Sequence, residues 1–370
     1  MLGAKEEIVG FSEEDIKQFQ LSGRNLLQKH QELHSVSFGY SGESKLSIFV
    51  SFTPPIPEKS GRKPKTYSRP TDFPEVFREL PIVGENRLTG VQTTTALAPC
   101  ARCIRQEVLQ PGLDIAAVPA DGELHPRRGT LGCIVYDKIT GEPMILSNWH
   151  VMSGATSLVL QPSSQLMPHG MPPSVENLCG RVMRTCVDLD CAVASLIDRK
   201  TDSTMLGLGI VPRRARLPEL RDPVVKFGAG NNRSYGIVKR IGIVRMNFGG
   251  AFAGILIPCC QIERDAAVKQ LDEKDEVREL VRPGDSGCVW MLRDSSGWQG
   301  GRTCESRTQD PTQESDPTPP EDPYLRATDT AVALHFGADD AVEELALAVP
   351  MPFVLDQLNV DLVPPPQRGN

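Results

Sequence analysis

The chain has 370 residues, 39% of them apolar and 24% charged, and a formal net charge of -7. That is enough for a folded region of roughly 200–250 residues plus a smaller module. The negative balance argues against nucleic acid or an anionic membrane surface as a partner, since both recruit basic proteins.

The N-terminus, charged from Lys5 onward, lacks the apolar core of a secretory signal, so a cytoplasmic chain is the expectation. The longest apolar run, Gly249 to Cys260, spans 12 residues. A helix crossing a bilayer needs roughly 18–20, so no membrane span is expected and the run reads as a buried strand. The ten cysteines are expected to be free and mostly buried in such a compartment. Cys100 and Cys103 form a CxxC with no second half at zinc-like spacing, so neither a metal nor another cofactor is expected.

In chain order, residues 1–113 form an N-terminal extension. Ser12 followed by Glu13 and Glu14 opens an amphipathic helix running to about His34. A hairpin is expected over Ser35 to Phe52, then an exposed, basic, Pro-rich loop from Glu58 to Pro70. This extension is a candidate surface for a regulatory protein.

From about Asp114 the texture becomes short apolar strands separated by Gly, Pro and Asp turns, as in an all-β sandwich or barrel. The first set is Gly132–Tyr136, Met144–Ser147, Ser157–Leu160, Gly180–Cys186 and Cys191–Ile197. The second is Leu206–Val211, Val224–Phe227, Ser234–Val244, Phe252–Ile262, Gly287–Leu292, Ala331–Phe336 and Leu345–Val349. Two such sets imply two barrels, at about 114–205 and 206–362. The acidic, Pro-rich stretch from Asp294 to Arg326 is too poor in apolar residues to pack and reads as an insertion between two strands.

The chemistry gathers around RPGDSGCVW, Arg282 to Trp290. A serine in a glycine-rich turn before a strand is exposed, and the amides of Gly284 and Ser286 could converge as an oxyanion hole. A hydroxyl needs a neighbouring base before it attacks a carbonyl. His150, ending the apolar run in MILSNWHVMSG, is the best placed of six histidines. The imidazole in turn needs a carboxylate to fix its tautomer. VDLDCAVASLI offers Asp188 and Asp190, of which Asp190 abuts the apolar strand.

The order His150, Asp190, Ser286, within GTLGCIVYD, ILSNWHV, DCAVASL and PGDSG, resembles that of trypsin-like (chymotrypsin-fold) peptidases. The likeness extends through Val224 to Gly242 and Ala333 to Val360, and is greatest to the intracellular bacterial and plant group with an N-terminal extension. It implies a mainly β double barrel, a serine endopeptidase acting on protein or peptide substrates, and a triad of His150, Asp190 and Ser286. A protease-fold binding module that does not turn over is the competing reading. Ser147, Asn148 and Trp149 replace the small residues usual in secreted members, which puts substrate fit in question.

Ile8 lies too far from His150 for the N-terminal insertion of activated digestive members, so Asp285 requires another partner. Leu280 stands where those members carry the base of the S1 pocket, which removes the case for Lys or Arg at P1. ALHFGADD resembles the glycine-X-histidine segment of viral cysteine proteases of this fold and of glutamate-specific bacterial members, which implies that His335 could donate a hydrogen bond to a Glu or Gln side chain there. A strand histidine satisfied by its neighbours is the competing reading.

Overall fold

The computed structural model describes residues 11–31, 33–41, 45–52, 77, 80–86, 104–118, 128–154, 156–163, 174–231, 233–248, 253–268, 279–294, 326–339 and 345–366. The Cys100/Cys103 pair, the basic loop, His125, His169 and the interior of the Asp294–Arg326 insertion lie outside them.

Helix α1 (Glu13–Lys29) starts with a capping box: the Ser12 hydroxyl accepts from the Asp15 amide, and the Asp15 carboxylate accepts from the Ser12 amide. It ends earlier than the sequence suggests. His30 caps it in an extended conformation, and His34 already belongs to β1 (Leu33–Ser41). Strands β1 and β2 (Lys45–Phe52) form the expected hairpin, and β3 (Ile82–Asn86) runs parallel to β2.

The next group is β4 (Val108–Leu109), β5 (Asp114–Ala117), β6 (Arg128–Thr130), β7 (Cys133–Asp137), β8 (Pro143–Ser147), the short helix α2 (Trp149–Met152), β9 (Leu158–Leu160), β10 (Leu178–Cys186), β11 (Cys191–Leu196) and β12 (Lys200–Thr201). The remainder comprises β13 (Arg214–Ala215), β14 (Pro223–Phe227), β15 (Arg233–Asn247), β16 (Ala253–Arg264), β17 (Val289–Arg293), β18 (Ala327–Asp339), β19 (Leu345–Pro350), helix α3 (Met351–Leu358) and β20 (Val360–Asp361).

Strands β14, β17, β18, β19, β16 and β15 pair in a ring that closes from β15 back to β14, every contact antiparallel. The second large sheet is an open row, β20-β7-β8-β11-β10-β9-β5-β6, that curves into a half-barrel, and β12 pairs with β4 apart from both. The chain is therefore a double β-barrel of the chymotrypsin type. Alternation along the strands sorts the core into layers. Ile134, Ile145 and Ala192 fill the half-barrel. Their neighbours Cys133, Leu146 and Val193 turn to the second barrel and meet Val225, Val289 and Leu334.

Three findings modify the expected layout. Leu206–Val211 is a turn rather than a strand, because Gly207 and Gly209 adopt positive φ, which ends the extended run. The N-terminal hairpin is not a separate module: β1 pairs with β15, so the extension widens the sheet of the closed barrel. The chain also returns at β20 to pair with β7 of the half-barrel, inside the span expected for the second barrel. Asp294 N–H donates to Arg326 O at 3.0 Å, so the insertion leaves and re-enters at the ends of paired strands β17 and β18.

Candidate active site

Trp149, Val151 and Met152 of α2 are buried, which leaves His150 as the residue of that turn facing outward. Its partner is Asp190. The His150 Nδ1 lies 2.6 Å from Asp190 Oδ2, and the His150 amide donates to Asp190 Oδ1 at 2.9 Å. The Asp190 side chain is fully buried while that of His150 is 18% exposed, the arrangement a general base needs: an anchored back and an open front.

Asp190 caps a 3-10 turn (Val187–Leu189) in the left-handed region, φ 44°, which swings its carboxylate under the imidazole. Asn148 Nδ2 donates to the Asp190 carbonyl at 2.8 Å, fixing the backbone of that residue. Asp188 is exposed on the same turn. The ring of Phe248, at the end of β15, stacks on His150 with centroids 5.6 Å apart and a 20° tilt.

Ser286 sits between two glycines held at positive φ, Gly284 at 99° and Gly287 at 93°, so the turn doubles back and leaves the serine partly exposed. Thr130 of β6 holds this turn from the other barrel. Its hydroxyl donates to Gly284 O and its amide to Ser286 O, each at 2.7 Å, while Ala229 N–H donates to Thr130 Oγ1. With the carbonyls fixed on that side, neither the Gly284 nor the Ser286 amide donates to another of the described residues. A side chain at Gly129 would collide with both Val151 and the Ser286 carbonyl, so the serine turn and the histidine helix meet at that glycine.

Asp285 has the partner its position calls for. Its carboxylate accepts from Lys226 Nζ at 2.6 Å, from the Asn231 amide at 2.8 Å and from the Arg282 amide at 2.9 Å. Both side chains of the ion pair are wholly buried. Lys226 lies in β14 on the same face as Val224, one residue out of phase with Val225, so alternation sends its amine into the closed barrel. The only sequence signal was a lysine inside the apolar run VVKF.

Removing one partner of a buried pair strands the other charge, which costs about 3–5 kcal/mol. Lys226→Met is expected to lower the urea midpoint accordingly, and Lys226→Met with Asp285→Asn to recover part of the loss. An unchanged midpoint in the single variant would show that the pair does not stabilise the turn.

The residues around the motifs face inward. Ser147 Oγ donates to Thr130 O at 2.7 Å, tying β8 to β6 within the half-barrel, and Asn148 serves Asp190. Cys288 is buried beside the Lys226–Asp285 pair, with burial raising its thiol. Leu280 is fully buried in the cluster containing Val224, Trp290 and Val332.

His335 is also buried. Its amide donates to Cys288 O at 2.9 Å, and its carbonyl accepts from the Gly287 amide at 2.8 Å. Burial holds the imidazole well below its usual range, Lys226 and His150 depress it further, and a hydrogen bond to the Leu347 carbonyl opposes them. Nδ1 has no partner among the described residues. The ring donor is therefore Nε2, and Nδ1 presents a lone pair.

All seven described cysteines are free, and all but Cys186 are buried. No cluster of metal-ligating side chains occurs among the described residues, and no helix there is long and apolar enough to cross a membrane.

No family model and no curated protein matches the chain. Among solved structures it is similar to protease A of Thermobifida fusca, at 12% identity over 70% of this chain and 100% of that one, TM-score 0.42. It is also similar to a glutamic acid specific serine protease described as using a histidine triad in substrate binding, at 12% identity over 68% and 99%, TM-score 0.42. The Rv3671c protease of M. tuberculosis in its active form matches at 14% identity over 74% and 97%, TM-score 0.37. Scores this low leave the fold resting on strand order and barrel closure, and on those grounds the chain resembles the trypsin-like and chymotrypsin-like serine proteases.

Proposed function

We propose that the chain is a serine endopeptidase in which Ser286 attacks the scissile carbonyl, His150 accepts its proton and Asp190 orients the imidazole. The observation that carries this reading is the buried Asp190 bound twice to His150, through both the ring and the main chain. The amides of Gly284 and Ser286 hold the oxyanion, His150 then protonates the leaving amine, and water releases the acyl-enzyme.

Because Lys226 neutralises Asp285 from within the barrel, the serine turn needs no freed N-terminus to set it. Control then falls to substrate supply, a partner protein or covalent modification, in keeping with limited, regulatory cleavage in the cytoplasm. The extension, joined to the closed barrel through β1, is the surface through which a regulatory protein would act.

The discriminating test is a fluorophosphonate probe, which reacts only with an activated serine. Labelling at Ser286 supports a peptidase. A folded, unlabelled protein would favour a silent binding module.

At P1, a neutral His335 with Nδ1 as acceptor matches a donor, so Gln is favoured over the Glu carboxylate. Leu280, expected at the base of that pocket, packs instead in the barrel core with Val224 and Trp290. Cleavage of a peptide library is expected to enrich Gln at P1. A profile without that enrichment assigns His335 a packing role.

A further inference from the structure

Cys186 ends β10 and Cys191 begins β11, and the register places them directly opposite each other. Between them lie the 3-10 turn and Asp190, so the two cysteines form the neck of the loop that delivers the carboxylate to His150. Opposed residues of an antiparallel pair have Cα atoms about 4.5–5.5 Å apart with side chains on one face. That lies within the span of about 4.4–6.8 Å that a disulfide bridges.

Opposite each other in the register, the two thiols act on one another: Cys191 lowers Cys186 to about 7, helped by the Leu189 and Asp188 amides against burial and the Asp188 charge. Cys186, together with burial, raises Cys191. Cys186 is also the one described cysteine that is not buried. Burial raises Cys133 and Cys179 to about 12, so those thiols do not compete as nucleophiles.

We propose that Cys186 and Cys191 are an oxidation site at which a peroxide closes a disulfide across the neck of the Asp190 turn and lowers turnover. This rests on the triad reading for its effect, though not for its chemistry. The Cys186 thiolate attacks one peroxide oxygen, the O–O bond breaks, and the departing hydroxide takes up a proton, leaving a sulfenic acid. The Cys191 sulfur attacks the Cys186 sulfur, the S–O bond breaks, and a second water leaves. Two thiols lose two electrons to the peroxide, and a dithiol reductant reverses the change.

The Cα spacing needs no closing of the strands, but an S–S bond of about 2.05 Å with a dihedral near ±90° sets both cysteine side chains, and the neck beside Asp190 adjusts to that geometry. Asp190 is the residue before Cys191, and a shift of about 1 Å in a catalytic group can cost about 10²-fold.

The test treats the full-length protein with hydrogen peroxide, then alkylates, digests and weighs its peptides. The expected product is a Cys186–Cys191 disulfide, lighter by about 2 Da than the dithiol, with peptide hydrolysis falling about tenfold or more and returning with dithiothreitol. Cys186→Ser and Cys191→Ala are each expected to keep basal hydrolysis and lose the peroxide response. Absence of that disulfide, or its formation with unchanged hydrolysis, overturns the proposal. A reduced parent that neither cleaves peptides nor takes the fluorophosphonate label overturns the triad reading instead, while the peptide masses still decide the oxidation site.

Discussion

Ser286→Ala is expected to lower kcat about 10⁶-fold with the fold intact. The magnitude follows from losing the covalent route altogether: without the hydroxyl no acyl-enzyme forms, and His150 has no proton to accept. What remains is the oxyanion hole and binding, worth about 10³–10⁴ over water in a comparable triad. The Gly284 amide is untouched by the change, and the Ser286 main chain stays bound to Thr130. KM is therefore expected to move little, and titration of active sites with fluorophosphonate should read zero. A variant hydrolysing at the parent rate would remove Ser286 from the mechanism.

Asp190→Asn is expected to reduce kcat about 10⁴-fold. The geometry supplies the reason. Asp190 Oδ2 faces His150 Nδ1 at 2.6 Å, so the carboxylate holds the proton on Nδ1 and leaves Nε2 free to accept one from the serine. An amide nitrogen at that position donates instead, drives the proton to Nε2 and blocks the base. Oδ1 can still accept from the His150 amide, so the turn should persist and stability should change little. Asp188→Asn, on the exposed side of the same turn, is expected to leave kcat within about twofold. Equal losses from both variants, or none from Asp190→Asn, would overturn this assignment.

Much of the candidate site was legible in the sequence because its chemistry depends on local patterns. Glycines at 284 and 287 mark a turn that needs positive φ, and the structure holds both there. His150 ends the apolar run in MILSNWHVMSG, where a short turn or helix was expected to expose its imidazole, and α2 buries its three neighbours. Preference for Asp190 over Asp188 followed from its position against the apolar run, and burial separates the two.

Other parts were hidden for physical reasons. Thr130 stands in a three-residue strand too short to show alternation, so β6 had no periodic signal, although the Thr130 hydroxyl and amide hold the serine turn. Leu206–Val211 had the hydrophobicity of a strand, but two glycines at positive φ made it a turn. The role of Lys226 was hidden because sequence cannot say which carboxylate will face a lysine across a barrel.

The sequence by itself determined the two sets of strands, the glycine-framed serine, the exposed histidine and the acidic turn before β11. These follow from side-chain chemistry and spacing along a single segment. Only the tertiary structure decided that the N-terminal hairpin extends the closed barrel, that Lys226 neutralises Asp285, that Thr130 grips the serine turn from the opposite barrel, and that Cys186 faces Cys191 at the neck of the Asp190 loop. Except for the Cys186–Cys191 neck, these contacts join positions dozens of residues or more apart in the chain. Their energies depend on burial and on which strand lies next to which, quantities that exist only once the barrels have formed.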